Sequence, residues 1–357
     1  MKKYGVYFGF MICVFFLSCS NDNENTNEYV PTPSPLQIPQ IFEDYIIPPV
    51  IPIDNPQTIE GVALGKKLFF DPILSANNTQ ACASCHSPQN AFTDSARFSV
   101  GIDGSVGTRN SMPLFNLAWN YDEHFFWDGR VFSLEHQALE PVTNPIEMNT
   151  TWEAVITKLQ NHDVYPQLFI EAFGDIPITK ELTTKAIAQF ERTLISANSK
   201  FDRHLQDTAT LTPQELNGLN VFLDETRGDC FHCHGNPNNP LWTDNIFHNN
   251  GLDATFSDLG LGQFTGDPAD NGKFKSPSLR NLAFTAPYMH DGRFNTLDEV
   301  INHYSEGLQD SPTIDPLMKK VDEGGVQLTN QDKADLKAFL LSLSDPSFIN
   351  NPAFNNE

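Results

Sequence analysis

The chain is 357 residues long, room for two compact domains at about 100–200 residues each. Hydrophobic residues make up 39% and charged residues 19%, the balance of a globular protein with cores of its own. Lysine and arginine number 22 against 45 acids, a formal charge of −23. That excludes the basic footprint of a nucleic-acid protein and favours cationic partners.

The N-terminus opens Met1-Lys2-Lys3, followed by an apolar stretch from Tyr4 to Leu17. The run is short for a ~20-residue membrane span and reads as a signal peptide over residues 1–18. It closes Phe16-Leu17-Ser18-Cys19, which predicts a bacterial lipoprotein signal with Cys19 as the lipidated first residue. The alternative is an ordinary cleaved signal with an incidental cysteine. Either way the expected location is the periplasm or cell envelope, with a lipid anchor to the membrane in the first case. In residues 19–40, Cys19 is followed by Ser20-Asn21-Asp22-Asn23-Glu24-Asn25 and then a Thr/Pro-rich stretch to about Pro35, a composition that predicts a flexible tether.

Beyond the tether the pattern is mainly α. Gly61 to Phe70 carries apolar residues at helical spacing and stops before Asp71-Pro72. Short helices are expected over Thr151–Gln160 and Leu168–Phe173, and a longer amphipathic one over Leu182–Ile195. Thr212-Pro213-Gln214-Glu215 is a capping box that opens a helix to about Asp224. Thr296-Leu297-Asp298-Glu299 opens another through Tyr304, and Thr329-Asn330-Gln331-Asp332 begins a last one ending near Leu343. Between them lie loops rich in Gly, Asn and Pro, such as 235–240 and 260–272. No alternating strand series is evident, and no close internal repeat outside the cysteine motifs.

Six cysteines in an exported chain invite a disulfide framework. Their positions argue otherwise. Cys13 falls in the signal and Cys19 at the lipid site. The other four form Cys82-Ala83-Ser84-Cys85-His86 and Cys230-Phe231-His232-Cys233-His234. Each is C-x-x-C-H, the attachment signature of c-type haem. Two thiols at this spacing add to the two vinyl groups of one porphyrin, and the following histidine ligates the iron. A zinc site from four thiolates does not require histidine at the same offset twice, and a two-residue disulfide loop is usually redox-active rather than structural. The motifs lie 148 residues apart. The expected organisation is therefore two cytochrome c-like haem domains with long loops, an N-terminal one over 41–205 and a C-terminal one over 206–350.

Together with Phe126-Trp127-Asp128-Gly129-Arg130, Pro145-Ile146-Glu147-Met148, Ser278-Leu279-Arg280-Asn281 and the run Thr285 to Gly292, the motifs resemble the bacterial di-haem cytochrome c peroxidase and MauG family over roughly residues 55–345. The resemblance implies a peroxide-reacting haem held by Cys82, Cys85 and His86. It also implies an electron-relay haem held by Cys230, Cys233 and His234, and a calcium ion between them. Trp127 matches the tryptophan between the haems. Gln137 and Glu147 match the distal pair, with Glu147 as acid and base for O–O cleavage, and Pro141 matches a distal proline. In classical members a loop histidine is the sixth ligand of the first haem; the matching stretch 98–110 has none, and Ile102 stands at that position. His124 lies off the family position. An open or water-ligated first haem is expected. For the second haem the family position fourteen residues after His290 is Tyr304, with Met289 as rival ligand. Asn110 and the carbonyls of Thr285 and Pro287 match the calcium ligands. Arg109, Arg130, Arg280 and Arg293 are candidates for the haem propionates or for surface salt bridges.

The resemblance implies an enzyme reducing H2O2 to water, supplied by a small soluble donor (a cytochrome c or cupredoxin, cationic by complementarity), with a homodimer as a possible assembly. The alternative is a MauG-like oxidase acting on a partner protein or organic substrate. A plain electron carrier would need both irons six-coordinate and would leave Gln137 and Glu147 without a role.

Overall fold

The computed structural model describes residues 1–2 and 29–356; the signal segment, Cys13 and Cys19 lie outside the described residues. From Pro31 on, the described residues form one compact unit. Among the described residues no helix is long and apolar enough to cross a membrane.

Seven longer helices carry the architecture: α1 (Ile59–Phe70), α2 (Trp152–Gln160), α3 (Tyr165–Phe173), α4 (Lys180–Arg192), α5 (Pro213–Leu223), α6 (Leu297–Glu306) and α7 (Asn330–Ser342). The capping chemistry visible in the sequence sets their starts. Thr212, Thr296 and Thr329 each accept from the backbone three residues on, and Glu215, Glu299 and Asp332 reach back to the cap. The expected strand-poor reading holds: among the described residues one two-stranded antiparallel ladder pairs β1 (Phe247–His248) with β2 (Phe274–Lys275).

Two antiparallel helix pairs anchor the two halves. In the first, α1 lies on α4, so close that a Cβ on Gly65 would stand 1.9 Å from the Ala186 carbonyl oxygen. In the second, α5 lies on α7 with Gly218 at the crossing, its virtual Cβ 2.0 Å from the Asp335 carbonyl oxygen. Separate apolar clusters fill the halves, one around Leu68, Val155, Phe169 and Ile187 and one around Phe222, Trp242, Ile301 and Phe339. The C-terminal tail returns to the first half, where Phe348 and Phe354 pack on Phe92.

Three expectations need correction. The tether is shorter than 19–40: Ser34 N donates to Gln57 O, Ile59 N donates to Thr32 O, and Leu36 and Ile38 pack on the cluster around Trp119. The stretch 260–272 is not all loop, since it holds a helix at Leu261–Thr265 and a 3-10 turn at Pro268–Asp270. And an internal repeat exists. Trp127-Asp128-Gly129-Arg130 and His290-Asp291-Gly292-Arg293 occupy matching turns. The residue before each has positive φ (Phe126 +65°, Met289 +75°). Each turn is closed by an antiparallel bridge, Phe125 with Val131 and Tyr288 with Phe294. A hydroxyl cap follows each, Ser133 and Thr296. Asn116-Leu117-Ala118 and Asn281-Leu282-Ala283 repeat as well, with both asparagines left-handed.

Arg280 is wholly buried and holds Asp202 through two bonds of 2.8 and 2.7 Å. It is thus neither a surface salt bridge nor free for a propionate. Removing one partner of such a pair strands a buried charge at a cost of about 3–5 kcal/mol. Arg280→Ala is accordingly expected to lower the denaturant midpoint of unfolding strongly, and an unchanged midpoint would contradict the burial.

Candidate active site: two cradles and the bridge between them

Cys82 and Cys85 bracket a 3-10 turn, Cys82–Ser84. The following imidazole, His86, is oriented by its Nδ1, 2.9 Å from the Phe92 carbonyl oxygen. A carbonyl only accepts, so Nδ1 carries the proton and Nε2 keeps the lone pair a metal needs. Burial lowers the pKa of His86, which favours this neutral form. The second cradle repeats the design. Ser111 Oγ donates to Cys85 O at 3.0 Å and lies 3.3 Å from His86 Nδ1. Ser276 Oγ donates to Cys233 O at 3.0 Å and lies 3.3 Å from His234 Nδ1. Burial brings His234 down to about 4. The four motif cysteines form no disulfide with one another, and the two pairs sit in different halves, against the zinc and disulfide alternatives.

The residues fit the haems. Beside Cys230, Cys233 and His234 opens an apolar cleft walled by α6 and α7 through Leu297, Ile301, Leu336 and Leu340. Tyr304 and Met289 both face it. In the first cradle, Phe69 and Phe92 pack around Cys82 and Ala83. Asn110, Thr285 and Pro287, the three expected calcium ligands, all border this same cleft of the second cradle. Asn110 commits its Nδ2 to the carbonyl oxygens of Ala96 and Arg97, which leaves its Oδ1 as an acceptor of the kind calcium takes.

Trp127 sits at the junction. Its indole Nε1 donates to Asn110 O at 2.8 Å. Two reciprocal bonds tie the halves here: Asn110 N to His290 O at 2.7 Å, and Lys275 N to Trp127 O at 2.9 Å. In the repeat, Asn110 and Lys275 each precede the serine beside a cradle, and Trp127 and His290 each precede Asp-Gly-Arg. The same contact is therefore made twice, once in each direction, as in a self-complementary interface. His290 stacks on Phe274 at 3.6 Å.

Glu147 follows the short helix Glu140–Thr143. Its Oε1 accepts from Asn144 Nδ2 at 2.7 Å. Burial raises its pKa above the ordinary carboxylate value, and its charge is felt at both Cys82 and Cys85. The loop lacking a histidine is fastened to it. Ile102 N donates to Glu147 O at 2.9 Å. Gly101 presses so close that a Cβ would stand 1.5 Å from the Ile146 carbonyl oxygen. Gln137 ends the short helix Leu134–Gln137 capped by Ser133. Counting from the two hydroxyl caps, Pro141 and Tyr304 stand at the same step, eight residues on. The matched position thus holds a ring without a donor atom in one half and a phenol in the other.

His124 is half-buried, with Nδ1 2.8 Å from Gly129 O and its ring against Phe132. Arg109, Arg130 and Arg293 are paired with carboxylates: Arg109 with Asp128 and Asp258, Arg130 with Asp128 and Glu140, and Arg293 with Asp253 and Asp291.

Sequence reasoning missed three groups near the cradles. Glu191, on the buried face of α4, has a carboxylate oxygen without a hydrogen-bond partner, and burial pushes it up to about 8. An acid inside the run Phe190-Glu191-Arg192 was the available signal. Lys275 is buried with its Nζ on the His124 carbonyl oxygen, and burial brings it down to about 7. His248 is held between Asp315 at 2.6 Å and Asp244 at 2.8 Å. Burial would lower its pKa, but these bonds hold it up to about 11. Cys233, Asp244 and His248 could together hold a metal ion, but Cys233 belongs to the C-x-x-C-H motif.

Residues 59–210 match the di-haem cytochrome c peroxidase family. The chain is 39% identical over 308 residues to the methylamine utilization protein MauG of Methylorubrum extorquens, covering 84% of this chain and 83% of that protein. It is 35% identical to the cytochrome c551 peroxidase of Nitrosomonas europaea over 71% of this chain and 75% of that one. A crystal structure of a MauG-like protein associated with microbial copper homeostasis superposes with a TM-score of 0.81 at 36% identity, over 90% of this chain and 99% of that one. The chain belongs to the di-haem cytochrome c peroxidase and MauG family.

Proposed function

We propose that this protein reduces hydrogen peroxide to two waters, consuming two electrons and two protons, with the reaction at the first cradle and electrons entering through the second. Bound at Cys82, Cys85 and His86, a c-type haem supplies the iron that binds peroxide and part of the reducing power for O–O cleavage. The chain's own residues do the rest. Glu147 would take a proton from one peroxide oxygen and return it to the departing one, so that water leaves. Gln137 orients the peroxide beside it. Pro141 offers no donor atom and the tethered loop 98–110 offers no histidine, so nothing from either competes with peroxide. Trp127 carries the electron between the halves. Tyr304, with Cys230, Cys233 and His234, would hold the second haem. Residues 41–205 and 206–350 act as peroxidatic and relay domains, and calcium at Asn110, Thr285 and Pro287 stiffens the junction.

The observation that carries this reading is Glu147: a carboxyl raised by burial, fixed by Asn144, beside the cradle whose loop supplies no ligand. The donor is a small, cationic soluble redox protein steered by the acidic surface. Residues 1–18 direct export, and Cys19 holds the protein to a membrane of the envelope.

Tyr304 favours a second reading, a MauG-like oxidase, because a phenolate favours ferric and higher states over transfer at high potential. Rapid mixing of the resting enzyme with peroxide, then with reduced cytochrome c, separates the two. The peroxidase turns over without prior reduction, and its rate falls as salt rises. A high-valent state that persists in the presence of the cytochrome is the oxidase result and overturns the first reading.

A further inference from the structure

Asn250 stands between the two candidate ligands of the second cradle. Its Nδ2 donates to Tyr304 OH at 3.1 Å and lies 3.5 Å from Met289 Sδ. Its backbone is gripped as well: Asn250 O is 3.2 Å from His303 Nε2, which must be the donor since a carbonyl only accepts. His303 and Tyr304 are neighbours on α6. One residue is therefore held at its carbonyl and at its carboxamide by consecutive side chains of one helix.

The surrounding turn is fixed on both sides. Asn249 Nδ2 donates to Ser311 Oγ and Thr313 Oγ1, both at 2.9 Å. Its Oδ1 accepts from Gly251 N at 3.1 Å. Asp315 N donates to Asn249 O, and Gln309 N donates to Gly251 O. Asn250 thus has a rigid support and a carboxamide aimed into an apolar cleft, where a hydrogen bond to a charged oxygen is stronger than in water.

We propose that Asn250 is a positioning residue for the second haem: its amide selects Tyr304 over Met289 as the axial ligand and tunes the reduction potential by donating to the phenolate oxygen. This rests on the reading of Tyr304 as ligand. The sulfur is a weak acceptor, so the amide rewards the phenolate and adds little for the thioether. A donor on the phenolate draws electron density from it, making the iron easier to reduce; removing the donor lowers the potential.

The test is spectroelectrochemical titration of the full-length holoprotein. Asn250→Leu is expected to favour the ferric second haem by about tenfold, the lower end of what a hydrogen bond to a charged group contributes, or 59 mV for one electron. The phenolate-to-iron charge-transfer band should shift with it. Asn250→Ser, whose hydroxyl is too short to reach, guards against a leucine variant that fails to mature and is expected to give the same direction. In a Tyr304→Phe background the same asparagine substitutions should have no such effect. Should Tyr304→Phe change the spectrum while both asparagine variants keep the wild-type potential and band, the inference about Asn250 falls and Tyr304 stands. Should Tyr304→Phe leave the spectrum unchanged, Tyr304 is not the ligand and both fall.

Discussion

Glu147→Gln is expected to cut peroxide turnover by about 10²–10⁴-fold, the usual range for a positioned acid–base group, while both haems and their resting spectra stay as in the wild type. Glutamine keeps the volume and can still be held by Asn144, so only the proton is lost. The pH profile sharpens the test. Burial raises the Glu147 pKa, so the carboxylate that must receive the peroxide proton is present only above that raised value. In the wild type kcat/KM for peroxide should therefore climb with pH through the raised pKa and level off above it. The glutamine variant should lack this limb. Retention of turnover within about threefold would remove Glu147 from the chemistry.

The cradles were legible in the sequence because their chemistry is local: thiols and imidazole lie within five residues, and capping boxes within four. What surrounds them was not. The bond from Ile102 to Glu147 and the two that cross between Asn110, His290, Lys275 and Trp127 join segments tens to more than a hundred residues apart, beyond any spacing rule. The internal repeat escaped for a related reason. From His86 to Ser111 is 25 residues and from His234 to Ser276 is 42, so no fixed period exists, and the aromatic Trp127 is matched by His290. Composition misled at 260–272, where a stretch with four glycines still holds a turn of helix with Asn271 packed close against Gly262. The tether was misjudged because Thr/Pro-rich chain can lie along Thr58 as an edge bridge without burying a core of its own.

The second large effect belongs to the thiols of the relay cradle. The double variant Cys230→Ser with Cys233→Ser is expected to mature with one covalent haem by mass, to lose the low-spin signature of the second iron, and to melt at a markedly lower temperature. The cleft beside these cysteines is walled by Leu297, Ile301, Leu336 and Leu340, and a wall without partner atoms forfeits its dispersion contacts. Burying one such aliphatic side chain is worth about 1.5–3 kcal/mol. Loosening several of them is comparable to the ~5–15 kcal/mol that holds a domain folded. The first cradle should keep its haem, because its apolar shell around Phe69 and Phe92 is a separate cluster reinforced by Phe348 and Phe354. Peroxide should still oxidise this half-loaded protein, since Glu147 and the loop at Ile102 are untouched. Steady turnover with an external donor should nearly stop, because the electron entry is gone. A double variant that carries two covalent haems, or that turns over with the donor at the wild-type rate, would place electron entry elsewhere and refute the division of labour between the two halves.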